Sequence, residues 1–268
     1  MNLKKMVCGA LSFTMLVTSG VTTYADWSKG YQFDFYGTND EKGTFSLFIE
    51  SDSEILKRTL EKEALSFELN PEENAENLIK YKFSLPADST ISFALDGYGE
   101  KDNSFVIFDK GGRLIGYTSI LKAVDQDGNE IISDISISNN IIQQRFDKNI
   151  NLDNISVDFE VYALQTTVDR ANSFNDNFSK SEWISRAEGV SLSLYPIYAF
   201  PTNSAMYAAW DTVVSKHSGD SHWSNENGMK DQFHCHNDFA SAKRPWNLEP
   251  WRPDVGYAST IAAGCNPK

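Results

Sequence analysis

The sequence predicts an α+β protein, in which a mainly-β, sandwich-like N-terminal domain precedes a small α+β domain locked by one disulfide. Short apolar runs with period-two alternation recur through the first 165 residues, whereas helical periodicity is concentrated after them. Charge changes at the same place, because residues 26–165 hold 13 basic and 26 acidic side chains while residues 166–268 hold 9 and 11. All four histidines and five of the six tryptophans also lie after residue 166. We therefore expect two domains.

The first 25 residues have the pattern of a signal peptide. Lys4 and Lys5 precede an uncharged, mostly apolar run, and residues 23–25 (Thr-Tyr-Ala) offer small side chains at a cleavage site. The run is too short and too rich in Ser, Thr and Gly for a permanent membrane span. We expect cleavage before Asp26, a secreted mature chain, and no transmembrane anchor in that chain.

The acidity of the chain limits its partners. The formal net charge is −13, and loss of the two leader lysines makes it −15. Such a surface repels nucleic acid and anionic lipid, so neither is expected as a primary partner. An unknown extracellular ligand or protein is expected instead, and no sequence pattern indicates a cofactor.

The first domain, residues 26–165, is predicted to consist mainly of strands. Period-two runs separated by turn residues every eight to twelve positions are typical of a sandwich or barrel. The predicted strands are residues 31–36, 45–49, 81–85, 90–95, 105–108, 114–117, 131–137 and 157–164. One helix is predicted from Ser53 to Leu65, with Asp52 as its N-cap. Its apolar face would hold Ile55, Leu56, Leu60 and Ala64.

Two Asp–Gly segments are predicted to be hairpin turns. Residues 109–112 (Asp-Lys-Gly-Gly) contain glycines that tolerate positive φ. Residues 125–129 (Asp-Gln-Asp-Gly-Asn) resemble the start of a calcium loop, but the glycine stands at position 4 and no Glu follows at position 12. A plain hairpin turn is favoured there, and no metal site is predicted.

The polar residues 166–182 are predicted to be a linker, and residues 183–268 the C-terminal α+β domain. A helix is expected from a cap at Asn203 or Ser204, with a stripe of apolar side chains along one face. That stripe comprises Met206, Trp210, Val213 and Val214. A second helix is preferred for residues 229–239, although alternation in that segment also permits a strand.

Two cysteines remain after cleavage of the leader, Cys235 and Cys265. An even number of cysteines in an exported chain predicts a disulfide, here closing a loop of about 30 residues. A pair of free buried thiols is the alternative. The cross-link alone would stabilise the domain by about 3–4 kcal/mol.

Inside that loop lies a segment that we call the strap, residues 246–253 (Trp-Asn-Leu-Glu-Pro-Trp-Arg-Pro). Its two prolines fix φ and remove backbone donors, which predicts a stiff, irregular segment. Trp246 and Trp251 should pack against a core, while Glu249 and Arg252 need polar partners.

Candidate functional residues cluster around the strap. His234 and His236 flank Cys235, and Asp231 is close in sequence. Histidines with carboxylates can bind zinc or act as an oriented base, but the spacing is no recognised zinc signature. We expect Glu249, Arg252 and at least one of the two histidines to meet in a cleft floored by a strap tryptophan. A buried Arg–Glu pair with histidines pointing elsewhere is the alternative.

The motifs of the last quarter of the chain carry a family resemblance. They are Trp210, residues 229–236 (Met-Lys-Asp-Gln-Phe-His-Cys-His), the strap, and residues 264–267 (Gly-Cys-Asn-Pro). Residues 205–267 resemble the bacterial exported family of domains of unknown function numbered 2599. The resemblance implies secretion and a disulfide-bearing terminal domain. It implies no established activity and no catalytic residues.

Two classes of function remain open. In the first, the C-terminal domain is a cell-surface or extracellular binding module that uses Trp246, Trp251 and Arg252. In the second, it is a secreted hydrolase-like or toxin-like enzyme with a histidine as general base beside Asp231 or Glu249.

Overall fold

A computed structural model describes residues 25–26, 30–51, 54–61, 64–70, 77–150 and 155–268. The predicted signal peptide therefore lies outside the described residues, apart from Ala25. No helix in the described ranges is long and apolar enough to cross a membrane.

The N-terminal region consists of antiparallel strands, as the period-two runs predict. In chain order the strands are β1 (Ala25–Asp26), β2 (Gly30–Tyr36), β3 (Lys42–Ser51), β4 (Glu54–Glu61), β5 (Ala64–Asn70), β6 (Leu78–Ser84), β7 (Thr90–Leu95), β8 (Lys101–Phe108), β9 (Leu114–Thr118), β10 (Lys122–Val124), β11 (Glu130–Ile131), β12 (Ser133–Ser138), β13 (Ile141–Phe146) and β14 (Ile155–Ala163). A short 3₁₀ turn, Thr38–Asp40, joins β2 to β3.

These strands form two sheets around one core. One sheet has the order β1-β2-β3-β6-β13-β12, and the other has the order β11-β10-β14-β9-β8-β7, with the β4–β5 hairpin joined to β14 through β5. Alternate residues of both sheets point inward and pack together. The largest of these buried side chains are Phe45, Tyr81, Phe105, Phe146 and Phe159. The predicted β-rich, sandwich-like architecture is thereby confirmed.

The helix predicted from Ser53 to Leu65 is wrong. The chain there forms β4 and β5, which pair with each other from Glu54↔Asn70 to Glu61↔Ala64. Strand β5 then pairs with β14 along Ala64–Leu69. A short apolar run fits either period, and pairing with a distant strand overrides weak local helix propensity. That partner is almost a hundred residues away, so the local pattern gave no sign of it.

Both predicted hairpin turns are present. Asp109 accepts hydrogen bonds from the backbone N–H groups of Gly111 (2.8 Å) and Arg113 (3.0 Å). Asp125 does the same for Asp127 (2.9 Å) and Asn129 (2.8 Å). The carboxylate that opens each turn is therefore engaged by backbone donors, and the second segment is a plain hairpin turn.

The C-terminal region is α+β. Its elements are α1 (Thr167–Asn177), β15 (Phe178–Ser185), β16 (Val190–Pro196), α2 (Asn203–His217), α3 (Glu226–Phe239), β17 (Trp246–Leu248) and α4 (Tyr257–Ala262). The strands form a sheet of order β15-β16-β17. Side chains from this sheet and from α1, α2 and α3 share a second core that includes Phe174, Phe178, Trp210, Phe233 and Trp246. This confirms the predicted fold class.

The two predicted helices are α2 and α3. The N-cap of α2 is Thr202, one residue before the predicted cap, and its hydroxyl accepts from the N–H of Ala205 (3.0 Å). Helix α3 begins earlier than predicted, after the N-cap Asn225. The strand alternative for that segment is wrong.

The segment predicted to be a linker has regular structure. Residues 167–177 form α1, capped by Thr166, and β15 follows without a break. Phe174 and Phe178, four residues apart, stack with ring centroids 4.6 Å apart in the core. These two rings and the buried Arg170 anchor a segment whose other polar side chains are mostly exposed or half-buried, which is why its composition resembles that of a linker. The domain boundary itself stays a prediction.

Two contacts tie α1 and α2 to the sandwich. The buried Arg170 pairs with Asp211 of α2 (3.0 Å) and donates to the carbonyl oxygen of Tyr36 in β2. At the start of α2, the N–H of Asn203 donates to the carboxylate of Asp102 (2.8 Å). Helix α1 is therefore fixed to a strand of the first sheet and helix α2 to a strand of the second.

Candidate functional site

The first part of the strap is a structural strand. Trp246 and Leu248 pair with Leu194 and Leu192 of β16, and both side chains are fully buried. The Trp246 ring centroid lies 5.4 Å from that of Phe233. Trp246 thus fills the core and does not floor an open cleft. The strap is also more regular than its prolines suggested, because Trp246–Leu248 forms an edge strand before Pro250 ends it.

Glu249 and Arg252 form a pair, which both the expected cleft and its structural alternative contain. The Nε of Arg252 contacts Oε2 of the buried Glu249 carboxylate, and Nη1 of the partly buried guanidinium donates to the carbonyl of Pro267 (2.8 Å). The other carboxylate oxygen of Glu249 accepts from the hydroxyl of Ser191 (3.1 Å). The pair therefore joins the strap to β16 and to the end of the chain, and its charges are matched by protein groups.

His236 is linked to this pair through Gln232. Its Nδ1 donates to the backbone carbonyl of Gln232 (2.7 Å), while the Gln232 side chain exchanges hydrogen bonds with the backbone of Glu249 (2.9 and 3.2 Å). The imidazole is only 1% exposed, and burial lowers its pKa. His236 is thus a neutral, buried ring behind the strap.

His234 points elsewhere, because residues two apart on a helix lie on different faces. Its ring packs between Tyr207 and Tyr257, at centroid distances of 5.8 and 6.2 Å. Its Nε2 is buried and has no hydrogen-bond partner among the described residues. Burial lowers the pKa of His234 to about 3, so the ring is neutral at pH 7.

The remaining strap candidates are more accessible. Trp251 is 40% exposed, and the guanidinium of Arg252 stacks on its ring at 4.4 Å. Asp231 is partly buried, and its pKa is raised by burial and by repulsion from Asp254. Among the described residues, no group of three or more His, Cys, Asp or Glu side chains is placed to hold a metal. Catalytic or binding roles for the strap residues stay predictions.

The predicted disulfide is present. Cys235 in α3 bonds to Cys265 after α4, across a sequence separation of 30 residues. Both cysteines are buried beside Tyr257. The cross-link holds the end of the chain against α3, with the strap between the two anchors.

A cavity of about 680 Å³ lies where the C-terminal region meets the second sheet of the sandwich. From the sandwich it is lined by Tyr117, Thr118, Ser119, Glu160 and Tyr162, and from the other side by Ser173, Asp176, Asn177, Tyr198 and Phe200. Sequence reasoning missed this place, because its walls come from segments up to 95 residues apart, from Tyr117 to Thr212. Aromatic residues scattered among Ser, Thr and Asn were the only local sign.

The cavity walls combine ring surfaces with hydrogen-bonding groups. Tyr117 and Tyr162 stack with centroids 4.7 Å apart, and the hydroxyl of Tyr162 contacts the carboxylate of Glu160. At the rim, the hydroxyl of Tyr198 lies 3.2 Å from the amide oxygen of Asn177. Phe200 is buried and forms an apolar wall. This mixture suits a small polar organic molecule that also has an apolar face.

Uncharacterized mycobacterial proteins resemble part of the chain. Uncharacterized proteins of Mycobacterium bovis and Mycobacterium tuberculosis are 37% identical over 97 residues, which is 32% of this chain and 63% of each relative. An uncharacterized protein of Mycobacterium leprae is 49% identical over 43 residues, covering 15% of this chain and 35% of the relative. The chain thus spans less than two thirds of these relatives.

No solved structure matches the chain. The family resemblance drawn from the sequence is confirmed for the C-terminal region. Residues 178–268 match the family described as "Protein of unknown function (DUF2599)".

Proposed function

We propose that this protein is exported and binds a small polar ligand, of the saccharide class, in the cavity between the sandwich and the C-terminal region. The observation that carries the proposal is the cavity itself, with a volume of about 680 Å³. Ligand sites are preferentially concave and lie where two structural units meet. The buried disulfide supports export, because such bonds persist in oxidising compartments.

The chemistry of the walls supports a saccharide. A sugar presents hydroxyl groups around its edge and C–H groups on its faces, so it needs both hydrogen-bonding groups and apolar or aromatic surfaces. Ser173, Asp176 and Asn177 offer the former along α1, and Phe200 and the tyrosines offer the latter. Arg170 also lines the cavity, but Asp211 and two backbone carbonyls already engage its guanidinium. A strongly anionic ligand is therefore disfavoured.

Filling the cavity tests the binding proposal. Ser173→Trp places a large ring on the α1 wall, whereas Ser259→Trp places the same ring on the exposed surface of α4. Ligand-observed NMR with a panel of neutral mono- and disaccharides should detect binding to the wild type and to Ser259→Trp. Binding should be lost in Ser173→Trp. If no sugar binds, or if both variants bind equally, the proposal fails.

Export has its own test. The intact mass of the protein recovered from culture medium should correspond to a chain that begins at Asp26. Recovery of the chain in the membrane fraction with Met1 still present would reject export.

A further inference from the structure

A serine and a histidine meet on the C-terminal region, outside the residues that line the cavity and two strands across the sheet from Trp246 of the strap. Ser181 lies on β15 and His217 in the last turn of α2. The Nε2 of His217 and the Oγ of Ser181 are 3.1 Å apart and hydrogen-bonded. Both side chains are partly exposed, so a molecule in solution can reach them. A hydroxyl bonded to an imidazole is the core of a nucleophile and its base.

The surroundings fix the imidazole. The His217 ring stands edge-on to Phe174 of α1 at 5.6 Å, and perpendicular to Trp183 of β15 at 6.3 Å. Trp183 and Ser181 are two residues apart on one strand, so their side chains lie on the same face of the sheet. The ring is thus held by packing and needs little further ordering before it can accept a proton.

His217 is in the protonation state that a base requires. Burial, together with repulsion from Lys216 and against the opposing attraction of Asp220, lowers its pKa to about 4. The Nζ of Lys216 lies over the ring of Phe174, 3.7 Å from the ring centroid. At neutral pH the imidazole is therefore uncharged, and its Nε2 can accept the hydroxyl proton of Ser181.

A second imidazole and an indole border the pair. His222 is hydrogen-bonded through Nδ1 to Asp220 (2.8 Å), and its ring centroid is 5.5 Å from that of Trp183. The indole and the half-exposed His222 ring offer an apolar surface beside the hydroxyl. That surface suits a small uncharged group better than an ion.

We propose that Ser181 and His217 are the nucleophile and general base of an acyl-transfer site that hydrolyses small, uncharged carboxylic esters. This activity goes beyond the binding proposed for the cavity and does not depend on it. It also differs from the enzyme hypothesis drawn from the sequence, which placed the base at the strap.

The reaction balances with water as the only co-reactant. The Oγ of Ser181 attacks the ester carbonyl carbon while its proton passes to Nε2 of His217. The bond to the leaving oxygen then breaks, and His217 returns that proton to the departing alcohol. Water, deprotonated by the same Nε2, next attacks the acyl-serine. The carboxylic acid leaves, and Ser181 regains its proton.

A structural role is the alternative explanation, in which the hydrogen bond only fastens the end of α2 to β15. The two explanations differ in what happens to an ester. The chosen probe is 4-nitrophenyl acetate, whose acyl group is small and uncharged. The matched control is Ser179→Ala, since Ser179 lies on the same strand but its hydroxyl donates to the carbonyl of Tyr195 (3.1 Å).

Hydrolysis and covalent labelling are measured together. The wild type and Ser179→Ala should release 4-nitrophenol and carry an acetyl group on Ser181, located by peptide mass spectrometry of quenched samples. Ser181→Ala should lose the adduct and at least 90% of the rate. His217→Gln should lower the rate about a hundredfold, the smaller end of the range for loss of a general base. Melting temperatures establish that each variant is folded.

Equal rates in the wild type and Ser181→Ala would overturn the proposal, as would an adduct confined to other residues. If Ser181→Ala does not fold, the wild type alone still decides the matter. Phenylmethanesulfonyl fluoride should then modify Ser181 in preference to Ser179. Failure to modify Ser181 would equally reject it.

Discussion

The strap and the Ser181–His217 pair are two polar clusters in the C-terminal region, and they use their polar groups in opposite ways. In the strap, Glu249 accepts from Arg252 and Ser191, and Arg252 also donates to a backbone carbonyl near the end of the chain. At the other place, one hydrogen bond joins a partly exposed hydroxyl to a neutral imidazole. The strap holds the unusual residue types, but protein groups already occupy the hydrogen-bonding atoms of its Glu249–Arg252 pair. The Ser181–His217 pair is made of common residues and stays partly exposed to solvent.

The physical reason for the difference is desolvation. A buried carboxylate or guanidinium loses water, so its retention requires several well-placed partners. Partners of that kind leave few lone pairs or protons for a ligand. A surface hydroxyl carries no such cost and can keep only one partner. We therefore expect the polar groups of the strap to contribute to stability and not to ligand binding.

Trp246→Ala should have the largest effect. The indole is fully buried and packs on Phe233, so its removal leaves a void at the centre of the second core. We expect a loss of about 3–5 kcal/mol in the free energy of unfolding. Urea unfolding followed by far-UV circular dichroism measures it. A loss below about 1 kcal/mol would show that the strap does not support the core.

Removal of the disulfide should come next. Replacing both Cys235 and Cys265 by serine opens a loop of about 30 residues, which should lower the free energy of unfolding by about 3–4 kcal/mol. Non-reducing peptide mapping of the wild type should join the two cysteine peptides. Unchanged unfolding of the double variant, or recovery of both thiols free in the wild type, would contradict the account.

Acid should destabilise the C-terminal region through the buried His234. The folded pKa of His234 is about 3, against 6.5 for the ordinary residue, so the unfolded chain takes up the proton first. The stabilisation is complete above pH 6.5 and is lost as pH falls toward 3, by up to about 1.4 kcal/mol per pH unit. At pH 5 the loss from this group should be about 2 kcal/mol.

Urea unfolding at pH 7 and pH 5 tests this sign and size. His234→Gln should show a weaker pH dependence than the wild type. Equal pH dependence in the wild type and His234→Gln would mean that His234 is not kept neutral by burial.

Trp251→Ala should have the smallest effect, and it is the matched contrast to Trp246→Ala. This indole is 40% exposed, stacks against Arg252 and packs on Gly189. We expect a loss of about 1–2 kcal/mol, of which the exposed cation–π contact contributes about 0.5–1 kcal/mol. A loss comparable to that of Trp246→Ala would remove the distinction between the two strap tryptophans.

The sequence predicted what depends on short-range pattern. Period-two alternation located most strands of the sandwich, the apolar stripe located α2, and two cysteines in an exported-looking chain predicted the disulfide. Pro250 and Pro253 predicted an irregular strap, which holds from Glu249 onward but not for the edge strand Trp246–Leu248. Each of these depends on residues close in sequence or on a simple count.

What depends on distant partners was missed. The β4–β5 hairpin owes its form to pairing with β14, and α1 owes its order to burial of Phe174 and Arg170. The cavity and the Ser181–His217 pair join segments that are far apart along the chain. Contacts between distant segments leave no periodic pattern in the sequence. The site predicted from the sequence was therefore the strap, where unusual residues are adjacent along the chain.

Arg252→Lys tests most directly whether the strap is structural. Lysine keeps the charge but cannot contact Glu249 and the carbonyl of Pro267 in the same fixed geometry. The paired measurement is the free energy of unfolding and the rate of 4-nitrophenyl acetate hydrolysis on the same sample. If the strap is structural, the free energy of unfolding should fall by about 2 kcal/mol or more, while the hydrolysis rate per folded molecule stays unchanged. Unchanged stability with lost hydrolysis would contradict it and would make the strap a functional site.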